Sequence, residues 1–186
     1  MIPLANRTDA ELIALCKANN ELGFSGLYTR YARRVYNSIH RIVAHTAEAE
    51  DLLQETFLTL FKEAEKLSEV AHLEGWIKRV AINKSISHLR KKKIEWTELP
   101  LQEPEAEEAY DPTDDERFEA RIEEVKKSIE RLPQGYRTIV YLYVFENIPQ
   151  EEIARMLSLS HTTVRTQYHR AKKKILAALN EKAYAQ

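Results

Sequence analysis

Residues 95–116, EWTELPLQEPEAEEAYDPTDDE, constrain the fold of this chain more than any other stretch. They hold ten Asp and Glu, three prolines and no Lys or Arg. Ten like charges cannot be gathered into a core, and prolines at 100, 104 and 112 interrupt any helix before it gains length. No hydrophobic period survives across the stretch, so it reads as a flexible acidic linker. The 186 residues are thereby cut into two pieces, 1–94 and 117–186, and each must close a small core of its own.

The net charge of −1 conceals how unequally the charges are placed. Residues 1–94 carry 15 Lys and Arg against 11 Asp and Glu, and residues 117–186 carry 13 against 8. Two basic pieces flanking an acidic strap suit a polyanionic partner; a solvated hinge between ordinary domains has the same signature. With only four glycines and little strand-type alternation, the composition predicts an all-α protein: two small helical domains. The longest apolar run, Ile139 to Phe145, is far short of the ~20 residues that cross a bilayer. The start of the chain lacks a basic segment followed by an apolar one, and membrane insertion is not expected. Cys16 is the single cysteine, which suits a cytoplasmic protein and a small buried hydrophobe better than a reactive thiol.

Helical spacing fills both pieces. Thr8 and Glu11 stand at capping-box spacing before the first helix. A second helix aligns Leu27, Tyr31, Val35, Ile39 and Ile42 on one stripe, and a third aligns Leu53, Phe57, Leu60, Phe61 and Ala64. The fourth, from Gly75 to the basic run Arg90 to Lys93, has apolar residues on more than one side, which predicts a helix wedged between neighbours. In the second piece Phe118, Ile122, Val125 and Ile129 form a stripe that ends before Pro133. The next segment, YRTIVYLYVFEN, is rich in strand-favouring residues. It is nevertheless expected to be helical, because a lone strand would have no partner.

The segment EEIARMLSLSHTTVRTQYHRAKKKI, residues 151–175, carries the chemistry. At ~100° per residue Val164, Tyr168, Ala171 and Ile175 share a narrow stripe, while Thr162, Thr166, His169 and Lys173 lie opposite. Arg165 and Lys172 flank that outer stripe on one side and Arg170 on the other. A preceding helix would pack through Ile153, Ala154 and Leu157, with Ser160 capping the second helix. Together these form a helix-turn-helix whose second helix presents donors and cations to a DNA major groove. Ser158 occupies the turn position where glycine is common, at a cost of ~1 kcal/mol for a left-handed conformation. A free-standing DNA-binding regulator fits this motif as well as any larger machine does. No glycine-rich phosphate loop, CxxC or HExxH is present, and none of the six histidines has a metal-binding spacing. No catalytic residues, metal site or cofactor are therefore expected.

Three ordered segments carry a family resemblance: AEDLLQETFLTLFK (49–62), GWIKRVAINKSISHLRKK (75–92) and LPQGYRTIVYLYVFENIPQEEIARMLSLSHTTVRTQYHRAKKKI (132–175). The chain resembles bacterial RNA polymerase sigma factors of the extracytoplasmic-function class. The resemblance implies that residues 1–94 bind the polymerase and the −10 promoter element, and that residues 117–186 read the −35 element. It places Asp51, Gln54 and Glu55 on the polymerase-binding face, the partner being the clamp helices of the core enzyme, with the flap a second contact. Asn83 matches the position that holds a base flipped from the stack, a role an amide suits. Lys78, Arg79 and Lys84 share its basic helix. Beside it Ile82 is apolar where relatives often carry a polar residue, and Trp76 is expected to pack between helices. Residues 68–74, SEVAHLE, match the variable loop that sets promoter specificity. Thr162, Arg165, Thr166, His169, Arg170 and Lys173 are the implied −35 contacts. The strap matches a segment that threads the polymerase, and an anti-sigma factor is an implied partner.

Overall fold

The computed structural model describes residues 6–92 and 115–183, excluding the side chains of 115–121 and 181–183. The linker expected at 95–116 lies almost wholly outside the described residues, as does the side chain of Phe118. The chain divides into two compact units, residues 1–93 and 94–186. Helices account for every regular element among the described residues.

In the first unit α1 (Asp9–Lys17), α2 (Glu21–Val43), α3 (Thr46–Lys62) and α4 (Leu73–Lys91) pack around α2, with a 3-10 turn at Lys66–Glu69. The capping box forms: the Glu11 amide donates to Thr8 Oγ1 at 3.3 Å, and the Thr8 amide donates to Glu11 Oε2 at 2.6 Å. The stripe expected on α2 is entirely buried, from Leu27 to Ile42. On α3, Leu53, Phe57 and Leu60 are buried, and Ala49, Leu52 and Thr56 widen that face. α4 buries Leu73, Ile77, Ala81, Ile82, Ser85, Ile86 and Leu89, and it packs on both α2 and α3. That is the wedged helix its dispersed apolar residues predict. Cys16 is buried, and desolvation pushes its thiol up to about 11, well away from the reactive thiolate range.

Two features lock α1 onto α2. Asp9 accepts from Arg30 Nη1 at 2.5 Å and from the Tyr31 hydroxyl at 2.5 Å, while Arg30 also donates to the carbonyl of Arg7. Burial and the Asp9 contact push the Tyr31 phenol up to about 12, so it remains a donor. At the other end the helices cross at Gly23. A Cβ there would lie 2.6 Å from the Cys16 amide nitrogen and 2.8 Å from the Leu12 carbonyl oxygen.

The second unit is organised on α8 (His161–Ala183), against which α5 (Asp115–Glu130), α6 (Gln134–Val140) and α7 (Gln150–Leu157) all pack. Ile129, Leu132, Tyr136, Val140, Tyr141 and Ala171 form one buried cluster. The segment from Gln134 onward is helical as expected, but after Val140 it widens into a π-helical turn, Tyr141–Phe145. The wider turn carries Tyr143, Val144 and Phe145 to the surface.

Gly23→Ala tests the α1–α2 crossing. Alanine gains ~1 kcal/mol over glycine in a helix interior. Contacts below 3 Å with α1 backbone cannot relax by side-chain rotation, so the substitution should lower unfolding stability by ~1–3 kcal/mol in urea titration.

Candidate nucleic-acid interface

α7 and α8 are joined by a turn whose chemistry is local. Ser158 adopts φ 57° and ψ 40°, the left-handed conformation expected of it. The turn closes through the Leu159 amide, which donates to the Ala154 carbonyl at 2.9 Å. Ser160 Oγ accepts from the Thr163 amide at 3.0 Å and so caps α8. Ile153, Ala154 and Leu157 are buried on α7, and Val164 is fully enclosed between the two helices.

The far side of α8 bears the predicted stripe with one adjustment. Thr162, Arg165 and His169 are exposed, whereas Thr166, Arg170 and Lys173 are half-buried. Gln167 was not anticipated in the core, yet it is buried. Spacing places Gln167 at the edge of the apolar stripe, so only its polarity argued against burial. Tyr168 is held edge-on against Tyr143, ring centroids 4.8 Å apart, and burial raises its phenol above the usual range. That contact ties the π-turn to α8. Its neighbours Val144 and Phe145 form an exposed apolar surface on the wider turn.

In the first unit Asp51, Gln54 and Glu55 are all exposed along one side of α3, opposite Leu52, Leu53 and Thr56. Arg79 and Asn83 are exposed one turn apart on α4, and Lys78 and Lys84 are half-buried. Ile82 is buried, which removes it from the set of surface residues, and Trp76 is half-buried. Lys84 Nζ stands 3.5 Å from Glu55 Oε2. The acidic face of α3 and the basic face of α4 therefore share an edge.

At the other end of the same helix pair, Glu48 receives Lys92 and accepts His88 Nε2 at 2.8 Å. Lys92 first, then His88, hold its carboxyl below the usual carboxylate range. The remaining histidines have structural or surface positions. His45 caps α3, His40 stacks on Tyr36, and His161 stands 3.6 Å from Glu151. Among the described residues no three His, Cys, Asp or Glu converge to hold a metal. No described helix is long and apolar enough to cross a membrane.

Comparison with known proteins matches both units. Residues 27–94 match the family model described as Sigma-70 region 2, and residues 122–175 match that described as Sigma-70, region 4. The chain is 27% identical to the ECF RNA polymerase sigma factor SigE of Mycolicibacterium smegmatis over 80% of its own length, but it spans only 58% of that protein. It is 27% identical to the RNA polymerase sigma-H factor of Pseudomonas aeruginosa, covering 95% of this chain and 96% of that one. Among solved structures, CnrH in complex with the cytosolic domain of CnrY is similar in fold. Its TM-score is 0.51 at 21% identity, over 93% of this chain and 97% of that one.

The Glu48 cluster makes a pH-dependent prediction. Because the folded pKa lies below the unfolded one, Glu48 contributes stability that is complete above about pH 4.3 and is lost as pH falls through the lower folded value. In denaturant titrations between pH 7 and pH 3, Glu48→Gln should lose less stability on acidification than the parent chain.

Proposed function

The chain belongs to the extracytoplasmic-function class of RNA polymerase sigma factors, and from that premise we propose how its two units divide the work. Such a factor directs RNA polymerase to particular promoters. The first unit, residues 1–94, binds the core enzyme and captures the −10 element, and residues 117–186 read the −35 element as duplex. The observation that carries this division is the outward side of α8, where Thr162, Arg165 and His169 are exposed while Val164 and Ala171 are sealed beneath them.

On α8, Arg165 reaches a base edge, since a guanidinium can bond the acceptor pair of a guanine in the major groove. Thr162, Thr166, His169, Arg170 and Lys173 complete the contact through base edges and phosphate oxygens. On α4, Asn83 offers an amide to a base removed from the stack, an extrusion that costs a few kcal/mol. Lys78, Arg79 and Lys84 bind the neighbouring phosphates. Segment 68–74 selects among −10 sequences. Asp51, Gln54 and Glu55 meet the clamp helices of the core enzyme, a contact favoured by cations because Asp51 and Glu55 repel each other one turn apart. The second unit contacts the flap. The factor acts in the cytoplasm, where an anti-sigma factor holds it in reserve, and it performs no catalysis itself.

Run-off transcription with core polymerase on a promoter library tests the reading. The chain should stimulate initiation from a defined promoter set and bind that DNA poorly without polymerase; absence of promoter-selective stimulation defeats it. Arg165→Ala should cost ~1–3 kcal/mol of discrimination confined to one −35 position. A uniform loss across all −35 sequences would instead make Arg165 a phosphate contact.

A further inference from the structure

We propose that α1 acts as a brace for the promoter-selecting segment, with Lys17 as its positioning residue; this rests on the role given above to residues 68–74. The segment is held at both ends by apolar anchors. Leu67 and Leu73 are buried, and between them Ser68, Glu69, Ala71 and His72 are exposed with Val70 half-buried. Two anchors fix where such a stretch begins and ends. They leave its exposed middle free to shift by the fraction of an ångström over which a hydrogen bond to a base is made or lost.

α1 supplies the missing constraint. Ala10, Ile13 and Ala14 line one wall of a shallow groove, and Leu67, Val70 and Leu73 line the other. At the end of that groove Lys17 Nζ donates to Ser68 Oγ at 2.9 Å and stands 3.5 Å from Glu65 Oε2. Ser68 Oγ in turn donates to the Glu65 carbonyl at 3.2 Å, so one hydroxyl joins α1 to the turn that launches the segment. The brace is itself rigid, because the Gly23 crossing and the Asp9, Arg30 and Tyr31 cluster fix α1 to α2. α1 lies wholly ahead of residues 27–94, so the segment is steered by a helix outside the matched region.

The Lys17 link is exposed, and ion pairs of that kind are worth up to ~1 kcal/mol, about a fivefold effect. Its main value therefore lies in choosing one conformation of the segment, with only a small contribution to stability. The test uses reconstituted holoenzyme and competing promoters that differ only in the −10 element or only in the −35 element. Lys17→Met should change relative initiation among −10 variants by about two- to fivefold, leaving −35 ratios and polymerase affinity unchanged and lowering the unfolding temperature by no more than a few degrees. Lys17→Arg should restore the parental ratios, and Lys17→Met added to Ser68→Ala with Glu65→Gln should have no further effect. His72→Ala serves as the control on the segment. If it alters −10 ratios while Lys17→Met does not, the brace is overturned and the role of the segment stands. If neither substitution alters them, both the brace and that role are wrong.

Discussion

One helix carries both the core of the second unit and the surface that unit offers. α5, α6 and α7 all pack on α8, and they do so through a narrow stripe that includes Val164 and Ala171, both fully buried. Successive helical residues differ by ~100°, so rotating α8 by one position would bring Arg165 inward and expose Val164. Burying an unpaired guanidinium costs several kcal/mol, more than any local interaction at the turn can return. Packing on one side thus fixes the azimuth of every side chain on the other. The capped start at Ser160 and the left-handed Ser158 fix the remaining freedom, where α8 begins.

The first unit separates rigidity from contact differently. Its rigid parts are partly buried and multiply bonded: Asp9 is gripped by two partners from α2, and the Gly23 crossing admits no side chain. Its outward faces are joined by cheaper links. The Glu55–Lys84 pair is 3.5 Å long with Glu55 largely exposed, and such pairs contribute ~0–1 kcal/mol. The outward faces are thus held by weak pairs, and the scaffold beneath them is not.

How much of this was legible in the sequence depends on whether periodicity or geometry set each feature. The α2 stripe, the wedged α4, the capping box at Thr8, the cap at Ser160 and the left-handed Ser158 all follow from spacing and side-chain chemistry within a few residues. The π-turn at Tyr141–Phe145 does not, because one extra residue per turn leaves no trace in composition, and the exposure of Val144 and Phe145 depends on it. Gln167 illustrates the same limit from the other side: its angle lies beside the core stripe, yet a polar side chain carries no burial signal of its own. The link from Lys17 to Ser68 spans 51 residues, and no local pattern could announce it. Charge spacing marked which side chains face outward, but how deeply each residue sits was decided by neighbours on other helices.

The division into two units has a thermodynamic consequence for specificity. A single wrong base pair in a site costs ~1–3 kcal/mol, so either contact set alone separates a promoter poorly from the many sites that compete with it. Joining two sets multiplies their discrimination only if the second contact is made at high effective concentration. A third body that binds both units at once supplies that concentration. RNA polymerase, the partner of sigma region 2 and region 4 alike, meets that requirement. Only simultaneous engagement of both units turns two weak readings into one selective event.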